Sequence, residues 1–287
     1  MHILEVLSVI LAVWFVFFAL PWIREGHRLR TTPGYVVPKV SRAAAWFQGV
    51  VSAVACRIMI GPVKFVRSPK IDDWNGRLVA AINHQVMGDI PVLLKVGHKR
   101  TWRYMSAVEQ VKLLRAWYFA WTGCVAVVRD DKEKAQLALQ AAVDGMVLDR
   151  EANFALFPQR RLVADNNLDP AGIRPGAVRI AHLVQQKTGE KIAILPVYIG
   201  YDERPRGLFS LPLLRNLRRV RVKMKNKDLV ETAWVERKIY GATVVAGDPI
   251  AADDLPESPA EVAKLLSDRW TAMKQHCAGC ERLSVDF

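Results

Sequence analysis

Cysteine is scarce in this chain of 287 residues, which contains only four. Cys56, Cys124, Cys277 and Cys280 are too few and too widely spaced for the disulfide framework that stabilises many secreted proteins. Cys277 and Cys280 form a single C-x-x-C pair with no second cysteine or histidine pair nearby, so the sequence does not predict a zinc site. We therefore expect reduced thiols in a cytosolic compartment.

Acidic residues are also few, with 28 Asp and Glu against 41 Lys and Arg. The formal net charge of +13 and the pI near 9.8 favour an acidic partner, which includes an anionic membrane surface, a nucleic acid or a phosphorylated substrate. Internal repeats and low-complexity tracts are absent from the sequence. With 51% hydrophobic residues, the length fits one α/β domain plus an anchor, or two small domains.

One long apolar run stands at the N-terminus, where residues 3–23 carry Glu5 as the only charge. About 20 apolar residues cross the bilayer core, so the run is long enough for a transmembrane helix. The flanking sequence lacks the positive start and the small-residue cleavage site of a signal peptide, which favours a retained anchor. Basic residues follow the run and predict, by the positive-inside rule, a body on the cytoplasmic face.

A second apolar stretch over residues 43–60 is interrupted by Gln48 and Arg57. This interruption predicts an interfacial or re-entrant helix rather than a full span. We therefore predict a membrane protein, single-pass or monotopic, with an anchor over residues 1–61 and a globular domain over residues 62–287.

From residue 62 onward, short apolar runs alternate with segments of helical periodicity. Helices are predicted after Asp130, over residues 176–187 with Gly189 as the terminator, and from Pro259 behind a Ser258 cap. The predicted strands cover residues 78–82, 102–107, 123–129, 153–157, 191–199, 219–225 and 239–246. The alternation predicts an α/β fold with a mostly parallel twisted sheet flanked by helices.

The first of these strands ends just before His84, and Asp89 follows five residues later. On a continuous helix the two side chains would point about 140° apart and could not pair, because each residue turns the axis by roughly 100°. Gly88 and Pro91 instead favour a tight turn that leads into a helix capped by Asp89. A histidine held by a carboxylate at the carboxyl end of a strand is typical of a general base, although the spacing alone often arises by chance.

Arginines follow two other predicted strands, Arg129 after one and Arg160 with Arg161 after another. Guanidinium groups near a histidine base suit a substrate whose hydroxyl lies close to a phosphate or another anion. Ordinary surface arginines are the alternative in so basic a chain. Residues 219–225 alternate basic with apolar side chains, which fits a solvated face, a surface for phospholipid headgroups or, less well, one for nucleic acid.

The order of short motifs over residues 79–250 resembles that of the glycerophospholipid acyltransferases of the lysophosphatidic-acid type. Asn83 to Asp89 is similar to the family's N-H-x4-D block, and Phe157-Pro158 to the opening of its F-P-E-G-T-R block. Four further segments are similar to later or intervening motifs of the family, namely residues 123–129, 174–181, 194–197 and 247–250.

The resemblance implies an enzyme that moves a fatty acyl group from acyl-CoA or acyl-ACP to a lipid hydroxyl on the cytoplasmic leaflet. It implies His84 as the base and Asp89 as the residue that holds it, with no metal, no other cofactor and no nucleic acid partner. The globular domain over residues 62–287 would then be the acyltransferase domain. The residues that the resemblance assigns to substrate binding are Asn83, Arg129, Phe157, Pro158, Gln159, Arg160 and Arg161.

The third block departs from the family pattern, because Gln159, Arg160 and Leu162 stand where the family has glutamate, glycine and arginine. The departure leaves the acceptor open between a lysophospholipid and another lipid hydroxyl. It also motivates an alternative function, in which a catalytically degenerate relative binds lipid or holds a partner. The oligomeric state does not follow from the sequence.

Overall fold

A computed structural model describes residues 20–56, 60–85, 89, 101–160, 162–163, 166–202, 219–225 and 232–283. The chain folds into two compact units. The first unit comprises the described parts of residues 1–45 and 101–154, and the second those of residues 46–100 and 155–287. The predicted boundary at residue 61 separates a membrane anchor from a globular domain, whereas the two units are defined by their compactness. The predicted boundary therefore stays a prediction.

The elements alternate along the chain as the sequence predicts. The helices in the described residues are α1 (Leu20–Thr31), α2 (Arg42–Ala55), α3 (Lys70–Asp73), α4 (Leu113–Trp121), α5 (Lys132–Leu148), α6 (Gly176–Thr188) and α7 (Pro259–Leu283). The strands are β1 (Val63–Arg67), β2 (Arg77–Ile82), β3 (Thr101–Ala107), β4 (Cys124–Val127), β5 (Ala152–Leu156), β6 (Ile192–Asp202), β7 (Arg219–Lys225), β8 (Thr232–Lys238), β9 (Gly241–Ala246) and β10 (Ile250–Ala251).

The second unit is built on four neighbouring strands in the order β1-β9-β6-β2, with β10 added to β6. Strand β2 is buried along its whole length, because it is apolar after Arg77 and helix α6 packs on it and on β6. Helix α7 packs on β6 and β9. Gly189 ends α6 in the left-handed conformation, with φ of 67°, which confirms the predicted terminator.

The sheet is mixed, whereas the sequence predicts a mostly parallel one. Strand β2 runs parallel to β6 and β1 runs parallel to β9, but β9 and β10 are antiparallel to β6. The amide of Tyr240 donates to the carbonyl of Asp202 at 2.8 Å, so the chain re-enters the sheet beside the point where it left. A parallel return needs a crossover to the opposite end of the sheet, and re-entry at the same end makes the next strand antiparallel.

Strands β7 and β8 form a separate antiparallel pair from Arg219 opposite Lys238 to Lys225 opposite Thr232. The predicted basic strand is therefore present as β7. Strand β8 was not among the predicted strands.

In the first unit, β3 and β4 are parallel neighbours and helix α1 packs on α4. A Cβ atom added to Gly26 would lie 2.4 Å from the backbone of Ala116, so glycine is what allows the two helices to approach this closely. Helix α5 begins behind Asp131, whose side chain accepts from the amide of Lys134, one residue later than the predicted Asp130 cap.

The predicted membrane segments fall on two parts of the chain. Residues 3–19 of the first segment lie outside the described residues, so the transmembrane span stays a prediction. Where the structure does describe the chain, none of its helices combines the length and the apolar character needed to cross a membrane. The second segment contains α2, which confirms a helix there.

Candidate active site

Strand β2 ends at Ile82, so His84 lies just beyond its carboxyl end. The Nδ1 atom of His84 lies 2.8 Å from Oδ2 of Asp89. The Asp89 side chain is fully buried, while 17% of the His84 side chain is accessible. An ionised carboxylate only accepts hydrogen bonds, so Nδ1 carries the hydrogen and Nε2 keeps its lone pair.

Asp89 is held by donors from two parts of the second unit. Its Oδ2 atom also accepts from the backbone amide of Gln85 at 2.7 Å, and its Oδ1 atom accepts from the hydroxyl of Tyr201 on β6. Three donors replace the water that the carboxylate loses on burial. The pairing of His84 with Asp89 is therefore fixed from both oxygens.

Strand β6 supports the turn because it extends beyond β2. The two strands pair from Arg77 opposite Ile192 to Ile82 opposite Val197, and β6 continues for five more residues. On this extension the amide of Ile199 donates to Oδ1 of Asn83 at 2.7 Å, and Nδ2 of Asn83 donates to the carbonyl of Ile199 at 3.1 Å. The Asn83 side chain thus continues the ladder like an extra peptide group.

Asn83 is predicted to bind substrate, and the structure places it below the surface, with only 1% of it accessible. Gln85 lies beside it and donates through Nε2 to the same carbonyl of Ile199. Both side chains form hydrogen bonds with Ile199 of β6, and both are buried rather than exposed to a substrate.

The loop after β5 holds His84 from another side. The Phe157 ring stacks on the imidazole with a centroid distance of 4.0 Å and an angle of 18°. The amide of His84 donates to Oε1 of Gln159, and the carbonyl of His84 accepts from the amide of Val163, both at 2.7 Å. The ring plane and both backbone polar groups of His84 are fixed by this loop.

Gln159 stands where the family that the sequence resembles has glutamate, and both the oxygen and the nitrogen of its side-chain amide form hydrogen bonds. While Oε1 accepts from His84, Nε2 donates to the carbonyl of Asn167 at 3.1 Å. Gln159 is 5% accessible. A carboxylate has no hydrogen for the second bond, so glutamine fits this position better than glutamate.

The remaining predicted site residues have different surroundings. Pro158 is buried and accepts from the amide of Arg174 at 3.1 Å, Arg160 is exposed, and Arg161 lies outside the described residues. Arg129 belongs to the first unit, where its guanidinium lies 3.8 Å from the carboxylate of Glu109. The structure therefore joins His84 to Asp89, Phe157 and Gln159.

Sequence reasoning missed Gln85 and Tyr201. Gln85 adjoins His84, and its position in the turn was the available signal. Tyr201 lies two residues beyond the predicted end of β6, on the face of Ile199 by strand alternation, so a strand predicted two residues longer would have included it. In the described part of the chain, no three His, Cys, Asp or Glu side chains are grouped to hold a metal ion.

Comparisons with known proteins bear on the domain and the fold. Residues 62–200 match the family model described as Acyltransferase. The structure is similar to that of the 1-acyl-sn-glycerophosphate (LPA) acyltransferase PlsC from Thermotoga maritima, with a TM-score of 0.50 and 17% sequence identity. The similarity covers 99% of this chain and 98% of that one. No curated protein matches the sequence.

Proposed function

We propose that this chain, whose residues 62–200 match the acyltransferase family model, moves a fatty acyl chain to the hydroxyl of a lipid acceptor. The donor in this proposal is acyl-CoA or acyl-ACP, and the acceptor is a lysophospholipid or another lipid with a free hydroxyl. His84 is the general base, oriented by Asp89. The observation that carries the proposal is the 2.8 Å contact between these side chains, on a histidine that stays partly accessible.

In the proposed reaction, the acceptor hydroxyl gives its proton to Nε2 of His84 while its oxygen attacks the thioester carbonyl carbon. The carbon–sulfur bond of the tetrahedral intermediate then breaks, and the leaving thiolate takes the proton from Nε2. The products are an ester and a free thiol, and the imidazole is neutral again. Asp89 stabilises the imidazolium that exists between the two proton transfers.

Gln159 supports a working enzyme rather than a degenerate relative. A lost catalytic motif is expected to lose its supporting contacts as well, but Gln159 bonds both His84 and Asn167. The glutamine that replaces the family's glutamate therefore still forms a hydrogen bond with the backbone of His84.

Arg160 supports an acceptor or donor that carries an anionic group. Its φ of 57° lies in the left-handed region, which costs a non-glycine residue about 1–2 kcal/mol. The resembling family has glycine at this position, where no such strain arises. An exposed arginine kept under strain beside the loop that holds His84 is consistent with a guanidinium that binds phosphate.

Helix α2 supports membrane association. Its buried positions are Ala44, Gln48 and Ser52, which recur every four residues and are small or polar. Its large apolar side chains are exposed, and they are Trp46 at 71%, Phe47 at 36%, Val50 at 42% and Val54 at 53%. An apolar face turned outward, in a chain of charge +13, is suited to the interface of an anionic bilayer.

The His84→Ala variant tests the catalytic part of the proposal. The full-length protein is purified in detergent and incubated with acyl-CoA or acyl-ACP and a panel of lysophospholipids and other hydroxyl lipids, and thiol release and ester formation are measured. We expect His84→Ala to lower the rate about 10²- to 10⁴-fold, because removal of a general base has this effect. His27→Ala, which removes an exposed histidine of α1, is the matched control and should keep the wild-type rate.

Two outcomes contradict the proposal. Transfer by His84→Ala at the wild-type rate would refute the base assignment. No ester formation by the wild-type protein with either donor and any acceptor would favour the lipid-binding alternative.

A further inference from the structure

Tyr201 lies outside every motif of the sequence, yet its hydroxyl is bonded to the carboxylate that holds His84. We propose that Tyr201 is a positioning residue for the acyl transfer, acting through Asp89 on the tautomer and orientation of His84. The inference rests on the proposed function, because it takes His84 as the base. Tyr201, on the part of β6 that extends beyond β2, then acts together with His84 and Asp89.

The two oxygens of Asp89 have different partners. Oδ2 accepts from Nδ1 of His84 and from the amide of Gln85, and Oδ1 accepts from Tyr201. A carboxylate turns about its Cβ–Cγ bond, and a turn would carry Oδ2 away from both of its donors. The bond from Tyr201 to Oδ1 opposes this turn, so it keeps Oδ2 in line with Nδ1.

A single strand therefore positions both ends of the His84 turn. Ile199 holds Asn83 and Gln85 through its backbone, and Tyr201, two residues on, holds Asp89 through its side chain. The length of β6 beyond β2 then decides whether the carboxylate is supported.

The tyrosine also suits the charge change during the reaction. Asp89 has to stabilise an imidazolium when His84 takes the proton. A neutral hydroxyl supports the carboxylate without placing a second positive charge beside it. A lysine or arginine at position 201 would pair with Asp89 and weaken its interaction with His84. Tyr201 keeps its own proton throughout, so no proton or electron pair passes through it.

The kinetic test uses Tyr201→Phe, which keeps the ring and removes the hydroxyl. We expect kcat to fall about 10- to 100-fold, which corresponds to the loss of a hydrogen bond to a charged group, and KM for donor and acceptor to stay the same. Tyr104→Phe is the matched control, because the Tyr104 hydroxyl is also buried and bonds Thr122 at 2.8 Å in the first unit. It should lower the melting temperature and leave kcat unchanged.

A double-mutant cycle separates positioning from general stability. If Tyr201 acts through Asp89, the effect of Tyr201→Phe on kcat should vanish in an Asp89→Asn background. An equal loss in both backgrounds would overturn the proposal. So would an unchanged kcat in the single variant, or a raised KM at constant kcat, which would make Tyr201 a substrate contact.

The spectroscopic test does not depend on acyl transfer. Nitrogen-15 NMR of histidine-labelled protein, assigned by comparison with His84→Gln, reports which ring nitrogen of His84 carries the hydrogen. We expect the Nδ1–H form in the wild-type protein and a growing share of the Nε2–H form in Tyr201→Phe. An unchanged tautomer in Tyr201→Phe would overturn the positioning role of Tyr201, whether or not the protein transfers acyl groups. Absence of acyl transfer by the wild-type protein would instead refute the proposed function and leave the positioning role intact.

If Tyr201→Phe does not fold, 3-fluorotyrosine at position 201 replaces it. This residue keeps the hydroxyl and nearly the shape of the ring and makes the phenol a stronger acid, so it alters the bond to Asp89. We expect a measurable change in kcat and in the Nδ1–H resonance of His84, and no change in either would overturn the proposal.

Discussion

Asp89 and Asp149 are both fully buried carboxylates, one in each compact unit, and each faces a basic side chain. Asp89 has hydrogen-bond donors on both oxygens and pairs with a histidine that is partly accessible. Asp149 lies 3.6 Å from the Nε atom of Arg103, which is itself completely buried. A buried carboxylate beside a basic side chain is common to the two clusters, so accessibility of the basic side chain is what distinguishes the candidate site.

Arg103 and Asp149, here called the Arg103 cluster, form hydrogen bonds with the backbone of residues 37–40, which follow α1. The guanidinium donates to the carbonyl of Pro38 at 2.8 Å and to that of Val37, and Asp149 accepts from the amide of Val40 at 3.0 Å. Burial lowers the pKa of Arg103 below its usual range, and the nearby Asp149 opposes this shift. With both terminal nitrogens of Arg103 donating to backbone carbonyls, this cluster is suited to stabilise the fold rather than to react.

The backbone next to the two clusters differs as well. Beside Arg103, the left-handed position is occupied by Gly123, with φ of 78°, where an added Cβ atom would lie 2.4 Å from the Val40 side chain. Among the described residues of the loop that holds His84, Arg160 and Asn166 are left-handed. Glycine removes the strain in the structural cluster, whereas the candidate site keeps an arginine under strain.

The largest expected effect comes from Asp89→Asn. Asparagine keeps the size of the side chain, but an N–H turned toward Nδ1 of His84 favours the wrong tautomer, and a neutral oxygen turned toward it stabilises the imidazolium less than a carboxylate does. We expect kcat to fall about 10³- to 10⁴-fold, as when the carboxylate of a catalytic triad becomes an amide. The measurement is steady-state acyl transfer, with near-UV circular dichroism to verify the fold. An activity within tenfold of wild type would show that the two buried carboxylates do not differ in function.

Removal of Arg103 should act on stability instead. Arg103→Met leaves the Asp149 carboxylate buried without its cation, and we expect a loss of about 3–5 kcal/mol in the free energy of unfolding. Adding Asp149→Asn removes the unpaired charge while keeping an oxygen for Val40, so the double variant should be more stable than Arg103→Met alone.

Urea unfolding and acyl transfer per folded molecule check this second prediction together. The folded fraction should keep its turnover rate. A turnover that falls in parallel with Asp89→Asn would contradict the assignment of the Arg103 cluster to stability.

The smallest expected effect is that of Arg160→Gly. Glycine relieves about 1–2 kcal/mol of left-handed strain, but its greater flexibility in the unfolded chain costs about 0.5–1 kcal/mol, so the net gain in stability should be at most about 1.5 kcal/mol. The same change removes a cation, and we expect KM for an anionic acceptor or donor to rise. Arg160→Lys keeps the charge and the strain and should keep KM. Unchanged KM in Arg160→Gly would leave the strain without a functional explanation.

Local patterns predicted much of the candidate site. The end of β2 at Ile82, the proximity of His84 and Asp89, the end of α6 and the start of α7 follow from apolar runs, glycine and capping residues that act over a few positions. The partners of these residues did not follow. Tyr201 reaches Asp89 because pairing with β9 continues β6 to Asp202, and such pairing depends on residues about 40 positions away.

The amino-acid sequence by itself indicated that a histidine and an aspartate meet after a buried strand, because a continuous helix would point the two side chains apart and Gly88 and Pro91 favour a turn. Only the tertiary structure decided what holds that pair. The overhang of β6 brings Tyr201 to the carboxylate, and the loop after β5 brings Phe157 and Gln159 to the imidazole. These contacts join segments separated by more than 70 residues, so packing of the whole second unit, and not local preference, fixes them.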